Sequence, residues 1–285
     1  MGLSKILNLE FNSAFLRYVL SRYYKPGRFY KIPFGELRGF RIWYDRTINY
    51  HAVLGIWEKS NFAVVSKLFS HLAKEHRSLV VYDIGANIGL FTLFFSKFKP
   101  SVRIVAFEAV EETVAALKTN LHRNSIHDVV IENRAVSSAD GTVSFFVGHH
   151  HKSSLVKNWA SDEGKREARE IKVPSIRIDS YVQANPTLKP DFIKIDVEGG
   201  ADKVLEGVGK VFETFRPLVM IESHNAIEDN AIIQMLAKFD YDAFRINNRR
   251  WVKNKIVNYK DPGGVWGNMI LIPVERSSQC SQYLK

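Results

Sequence analysis

The sequence predicts an α/β fold: a mostly parallel, Rossmann-like sheet of about seven strands with helices on both faces. Three observations lead there. From residue 79, short apolar runs alternate with stretches of helical periodicity. The runs VVYDIG, RIVAFEAV and VVIENRAV are short and nearly continuously apolar, as strands covered on both faces are. The first passes through a glycine-rich turn, DIGANIG (83–89), straight into a helical pattern, the junction at which open α/β sheets bind ligands. Residues 51–285 are read as this domain and 1–50 as a basic N-terminal extension.

Residues 5–24 have a narrow polar stripe (Glu10, Ser13, Arg17, Ser21) on a broad apolar surface and read as a helix ended by Lys25-Pro26-Gly27. RFYKI and FRIWYD within 28–48 read as short strands, and 57–76 as a helix with Phe62, Val65, Leu68, Phe69 and Leu72 on one side. The alternation then gives strands at 80–85, 103–110 and 129–136, with helices at 88–98 and 111–124. Residues 137–148 contain Asp140-Gly141 between strand-like stretches, which reads as an antiparallel hairpin. Residues 149–170, with a His149-His150-His151 triplet and the charge run DEGKREARE, read as a long loop. Strands resume at 191–199 and 216–224, each followed by a helix (201–215, 226–238), and 242–248 and 265–274 close the sheet as antiparallel partners.

The chain has 285 residues, one cysteine and a formal net charge of +10. With the lone Cys280 no disulfide within the chain is possible, so nothing argues for an oxidising compartment, and a reducing cytoplasm is the expected location. Residues 1–47 carry nine Lys/Arg against three acids, over half of the excess charge. Such a segment suits an anionic partner, among them the inner face of a membrane, or is simply a solvated surface. No apolar run approaches the roughly 20 residues that span a bilayer, and no signal-peptide pattern is present.

The glycine turn carries the chemistry. Glycines there admit positive φ and let a ligand touch the backbone. Glu108 ends the next strand nineteen residues after Gly89, where an acid holds a ribose diol. The turn lacks the middle glycine of G-x-G-x-x-G, and Asp83 at its base would repel a pyrophosphate. An ammonium- and sulfonium-bearing ligand, S-adenosylmethionine, fits that charge better than a dinucleotide.

VVYDIGANIGLFT, VAFEAVEET, NRAVSS, DFIKIDVEGG and RPLVMIESH, with GIWE (55–58) upstream, resemble the FkbM family of S-adenosylmethionine-dependent methyltransferases over about residues 50–224. The resemblance implies the class I methyltransferase fold and methyl transfer to oxygen on a sugar hydroxyl of a glycan, glycolipid or glycosylated small molecule. Glu58, Asp83, Gly85, Ala86, Asn87, Gly89, Glu108, Ala109 and Asn133 are the candidate cofactor-binding residues. One departure stands out: Ala201 occupies a position where the family usually has an acid, with Asp202 next to it.

Asp196 and Glu198 alternate at one strand end, and Glu222 and His224 at the next, so each pair is expected on one face. These four are the candidate catalytic residues, with Asp196 and His224 leading for acceptor orientation and proton removal. The same four could hold a divalent cation, or act structurally by capping helices or pairing with Arg216 or Lys194. No metal ligand is assigned. The rival enzyme readings are another hydroxyl, as on a macrolide, or nitrogen of RNA or protein. No D/N-P-P-[YF] element occurs, and nucleic acid is not the expected partner. The non-enzyme rival is a glycan- or membrane-binding protein with a vestigial cofactor site.

Overall fold

The computed structural model describes residues 20, 22–45, 50–75, 78–148, 153–155, 168–247, 250–253 and 267–282. The predicted helix over 5–24 and the histidine triplet lie almost wholly outside the described residues. An antiparallel pair opens the described chain, β1 (Arg28–Lys31) and β2 (Arg41–Tyr44). The main sheet then takes β3 (Leu79–Ile84), β4 (Val102–Phe107) and β5 (Val130–Glu132). A second sheet holds β6 (Ala135–Val136), β7 (Gly141–Val147), β8 (Ser153–Ser154) and β9 (Arg169–Ile176). The main sheet is completed by β10 (Phe192–Ile195), β11 (Leu218–Ser223), β12 (Tyr241–Asn247), β13 (Arg250–Lys253) and β14 (Gly267–Pro273).

The order in the main sheet is β13-β12-β14-β11-β10-β3-β4-β5. The five strands from β11 to β5 run parallel, and β14, β12 and β13 add antiparallel. Seven of these are the predicted strands, and β13 is the eighth. From β3 the chain steps outward through β4 and β5, then returns to place β10 on the other side of β3. That reversal is the switch point, and a crevice opens there beyond the strand carboxyl ends.

Strand alternation builds two cores. Val80, Tyr82 and Ile84 face a core shared with Tyr181, Val204, Phe212 and Ile232, while Leu79 and Val81 face one shared with Phe62, Leu68, Phe91 and Phe95. The helix Lys59–Glu75 buries Phe62, Val65, Leu68, Phe69 and Leu72, as its periodicity requires. Phe62 and Phe91 stand 4.5 Å apart between ring centroids, and Phe69 and Phe192 4.7 Å, so aromatic packing fixes this face. Ile32, Leu37, Ile42 and Tyr44 belong to the same core. Asn120 and Asn124 accept from the backbone N–H of Trp43 and Arg41. The described part of the N-terminal extension is thus packed onto the domain.

Three expectations are corrected. The run 129–136 is two strands in different sheets, because the chain turns at Asn133-Arg134. β7 does not pair back across Asp140-Gly141. It pairs with β9, and β6 flanks β9 on the other side. The Asp140 carboxylate instead accepts from the N–H of Arg177 and the hydroxyl of Ser180. The helix expected over 201–215 is two, Ala201–Glu206 and Gly209–Phe215. They break at Gly207, where a Cβ would overlap the backbone oxygen of Ser137.

Candidate functional site

The turn after β3 is shaped by left-handed backbone at Gly85 (φ 73°), Asn87 (φ 50°) and Gly89 (φ 91°). What excludes side chains there is the protein itself. A Cβ on Gly85 would overlap the backbone oxygen of Asp196, and one on Gly89 would overlap Leu117. The first glycine lets the ends of β3 and β10 close together, and the second lets the helix Leu90–Ser96 pack on its neighbour. Gly89 therefore stands behind the crevice, while Gly85, Ala86 and Asn87 line it.

Asp83 also lies elsewhere than the charge argument placed it. It is fully buried, accepts from the Thr92 hydroxyl at 2.6 Å and pairs with Lys194 Nζ at 3.3 Å. Register makes this inevitable: Asp83 and Lys194 are Cα partners on adjacent parallel strands and point to one face. The Lys194 ammonium also pairs with Asp196 at 3.3 Å and donates to Gly85 O at 2.8 Å. Burial pulls its pKa down, but the carboxylates of Asp196 and Asp83 outweigh this and leave it raised. Asp83 is thus the internal counter-ion of a buried lysine, and its charge does not face a ligand.

Above the turn lies a cavity of about 400 Å³, of small-molecule size. On the β4 side, Glu108 and Ala109 line it. The Glu108 carboxylate accepts from the N–H of Asn87 at 2.9 Å and of Val110 at 3.0 Å, one on each oxygen. Each oxygen retains acceptor capacity. Burial pushes this carboxyl up against the lowering effect of those N–H groups. Asn133 does not line the cavity. Its amide donates to the backbone oxygens of Glu108 and Ala109 at 3.0 Å each, which fixes the end of β4. Arg134, Phe145, Ser154 and Leu155 complete this wall. All but Arg134 come from the second sheet and the residue after it. The Ser154 hydroxyl donates to Glu198 O, pinning that sheet to the loop after β10.

On the β10–β11 side the cavity is lined by Glu58, Asp196, Glu198 and Glu222. β10 ends at Ile195, so strand alternation does not carry Asp196 and Glu198. Both line the cavity from the segment that leaves Ile195 and enters the turn 198–200. His224 lies just behind, 6% exposed, with Nε2 3.7 Å from Glu198 and 3.8 Å from Glu222. Glu228, wholly buried, accepts from the N–H of His224 at 2.6 Å and of Ala201 at 2.9 Å, and lies 3.5 Å from His224 Nδ1. It serves the helix start that an acid at 201 or 202 would otherwise serve. Asp202 pairs with Lys203 instead. Arg216 pairs with Glu275, leaving Glu222 to this cluster.

Crowding sets the charges. Burial lowers the His224 pKa, but Glu228, Glu222 and Glu198 outweigh it and raise it to about 9. Burial, then the charges of Asp196 and Glu58, raise Glu222. Donor atoms of Asp196, Glu222 and His224 lie within 4.8 Å of one another, a spacing a divalent cation could bridge. Lys194 and His224 already bring positive charge there, and no metal ligand is assigned. Because Glu222 keeps its proton to higher pH folded than unfolded, its contribution to stability falls as pH rises above the ordinary carboxylate range. Glu222→Gln is therefore expected to raise Tm at pH 8 and to change it little at pH 5. Thermal melts at the two pH values check this, and an equal shift at both would contradict it.

A parallel sheet reversing at a glycine turn, with an acid ending the next strand and an antiparallel carboxyl-terminal edge, is the class I methyltransferase architecture. A profile of the methyltransferase FkbM domain matches residues 83–243, more than half of the chain, and the chain belongs to that family of S-adenosylmethionine-dependent methyltransferases. It is similar to Methyltransferase 1 of Beauveria bassiana, 23% identical over 63% of this chain and 78% of that protein. The hexuronic acid methyltransferase AglP of Haloferax volcanii is 26% identical over 59% of this chain and 66% of its own length. The 31-O-demethyl-FK506 methyltransferase FkbM of Streptomyces tacrolimicus is 27% identical over 45% and 59%. The chain thus spans about two thirds or less of the latter two.

Proposed function

We propose that the chain moves a methyl group from S-adenosylmethionine to a hydroxyl oxygen of a sugar, on a glycan, glycolipid or glycosylated small molecule. The observation that carries this is a single cavity with unlike ends over the Gly85–Asn87 turn. One end is a carboxylate oriented by two main-chain donors, suited to a ribose diol. The other is a crowd of carboxylates at the switch point, suited to a cationic donor and a polar acceptor. Bound there, S-adenosylmethionine supplies a sulfonium-activated methyl. Glu108 would hold the ribose and the Gly85–Asn87 main chain the methionyl part. The carboxylates beyond Asp196 accept hydrogen bonds from acceptor hydroxyls and orient one oxygen for attack, which supplies much of the rate.

A sugar acceptor draws support from the name of the Haloferax relative. A larger, less polar alcohol is the second reading, supported by Phe145 and Leu155 on the cavity wall and by the name of the Streptomyces relative. Calorimetry with S-adenosylhomocysteine and transfer from methyl-deuterated S-adenosylmethionine test the proposal. The acceptor panel is methyl glycosides of hexuronic acids, neutral hexoses and a macrolide. Saturable binding and labelled glycoside are expected; no heat at millimolar ligand would end the reading. Among the described residues no helix is long and apolar enough to cross a membrane. Peripheral contact of the basic segment 1–50 with an anionic inner leaflet, from a cytoplasmic location, belongs to the same proposal. Flotation of the full chain with anionic liposomes, absent with neutral ones, is expected.

A further inference from the structure

We propose that Glu58 is the general base, taking the acceptor's proton from the half of the cavity opposite Glu108, and is not a contact to the methyl donor. This rests on the function proposed above and assigns its proton-accepting group.

Position comes first. Among the described residues, the charged groups that act on Glu58 come from the β10–β11 side, and the polar groups are Asn268 on β14 and Asn61 on the helix that follows it. Asp196 and Lys194 are at the end of β10, Glu222 and His224 at the end of β11. Asn268 on β14 has its amide 3.5 Å from Glu58 Oε2. Glu108 stands across β3, at the end of β4. Glu58 therefore belongs to the acceptor end, beside the carboxylates that crowd it.

Its conformation is built. Glu58 has φ 52°, a left-handed backbone that costs a non-glycine residue free energy, directly before the helix Lys59–Glu75. The Asn61 amide, one turn into that helix, donates to Oε2, the same oxygen that Asn268 approaches. Among the described residues no hydrogen bond engages Oε1. One oxygen is anchored by two amides, and the other is left for a reacting hydroxyl.

The neighbours narrow the choice. Asp196 is engaged by Lys194 at 3.3 Å. His224 is surrounded by Glu198, Glu222 and Glu228 at 3.7, 3.8 and 3.5 Å, which raise its pKa, and burial raises that of Glu222. Burial and the charge of Asp196 push Glu58 up to about 7, against Lys194 and His224. A base poised there removes a hydroxyl proton efficiently at neutral pH. As the acceptor oxygen forms its bond to the methyl carbon, the carbon–sulfur pair stays on sulfur. The hydroxyl proton passes to Glu58 Oε1 and from there to water.

The experiment needs no acceptor for its first part. Protein labelled with ¹³C at the glutamate carboxyl is titrated by NMR in its complex with S-adenosylhomocysteine, with Glu58→Gln identifying the signal. A midpoint near neutrality is expected; one in the ordinary carboxylate range overturns the proposal. Glu58→Gln should bind S-adenosylhomocysteine as the wild type does. It should also slow methyl transfer to the panel's acceptor about 10²–10⁴-fold and abolish the acid limb of its pH profile. Unchanged transfer overturns the role, and so does a Glu58→Gln protein about tenfold weaker for S-adenosylhomocysteine, which would make Glu58 a donor contact. Absence of binding by the wild type itself would instead defeat the proposed function.

Discussion

Lys194→Met is expected to cost about 3–5 kcal/mol of folding stability. Its ammonium, 2% exposed, sits between Asp83, wholly buried, and Asp196, 3.3 Å from each. Methionine fills much of the same volume among Phe91 and its neighbours, so packing loss is small. The loss comes from Asp83, which keeps only the Thr92 hydroxyl while its charge stays out of water. A charge removed from a buried pair leaves its partner uncompensated, whereas removing both is often nearly neutral. The double variant Asp83→Asn with Lys194→Met should accordingly recover a large part of the stability. Urea denaturation of the three variants measures this. A single-variant loss under about 1 kcal/mol, the level of an ordinary substitution, would mean that water or relaxation reaches this pair.

The same pair shows what the sequence made legible and what it did not. Alternating apolar runs read out β3, β4, β10 and β11 because strands buried on both faces leave almost no polar positions. Of the few polar positions within them, Asp83 looked like a site residue for that reason, while Lys194 entered only as a possible partner for Glu198 or Glu222. Their partnership depends on which strands lie side by side, and β3 and β10 are over a hundred residues apart in the chain. Gly85 and Gly89 were recognised as obligatory, but the space they save is filled by Asp196 and Leu117. Glu108 was placed by spacing alone, since a strand, a helix and a second strand fix that distance. The second sheet was misread because β7 has a distant partner, β9, which local turn chemistry at Asp140-Gly141 cannot reveal. Glu228, in the first turn of the helix Ala226–Phe239, looks locally like an ordinary acid at a helix start. Only the fold shows its carboxylate joining the two site loops.

Glu108→Ala is expected to weaken S-adenosylhomocysteine binding by about 100-fold or more. Hydrogen bonds to a charged group are worth about 1.5–3 kcal/mol each, and a ribose diol offers two. The carboxylate also holds the N–H of Asn87 and Val110, so a loss of affinity could arise from a loosened turn rather than from a missing contact. A 2′-deoxy analogue separates the two. If Glu108 holds the diol, removing the 2′-hydroxyl weakens binding to the wild type but adds little to the loss already suffered by Glu108→Ala. The two changes then fail to add, as contacts between the same partners do. If Glu108 only shapes the turn, the penalties add. Calorimetry on the four combinations distinguishes these, and full additivity would move the ribose away from the end of β4.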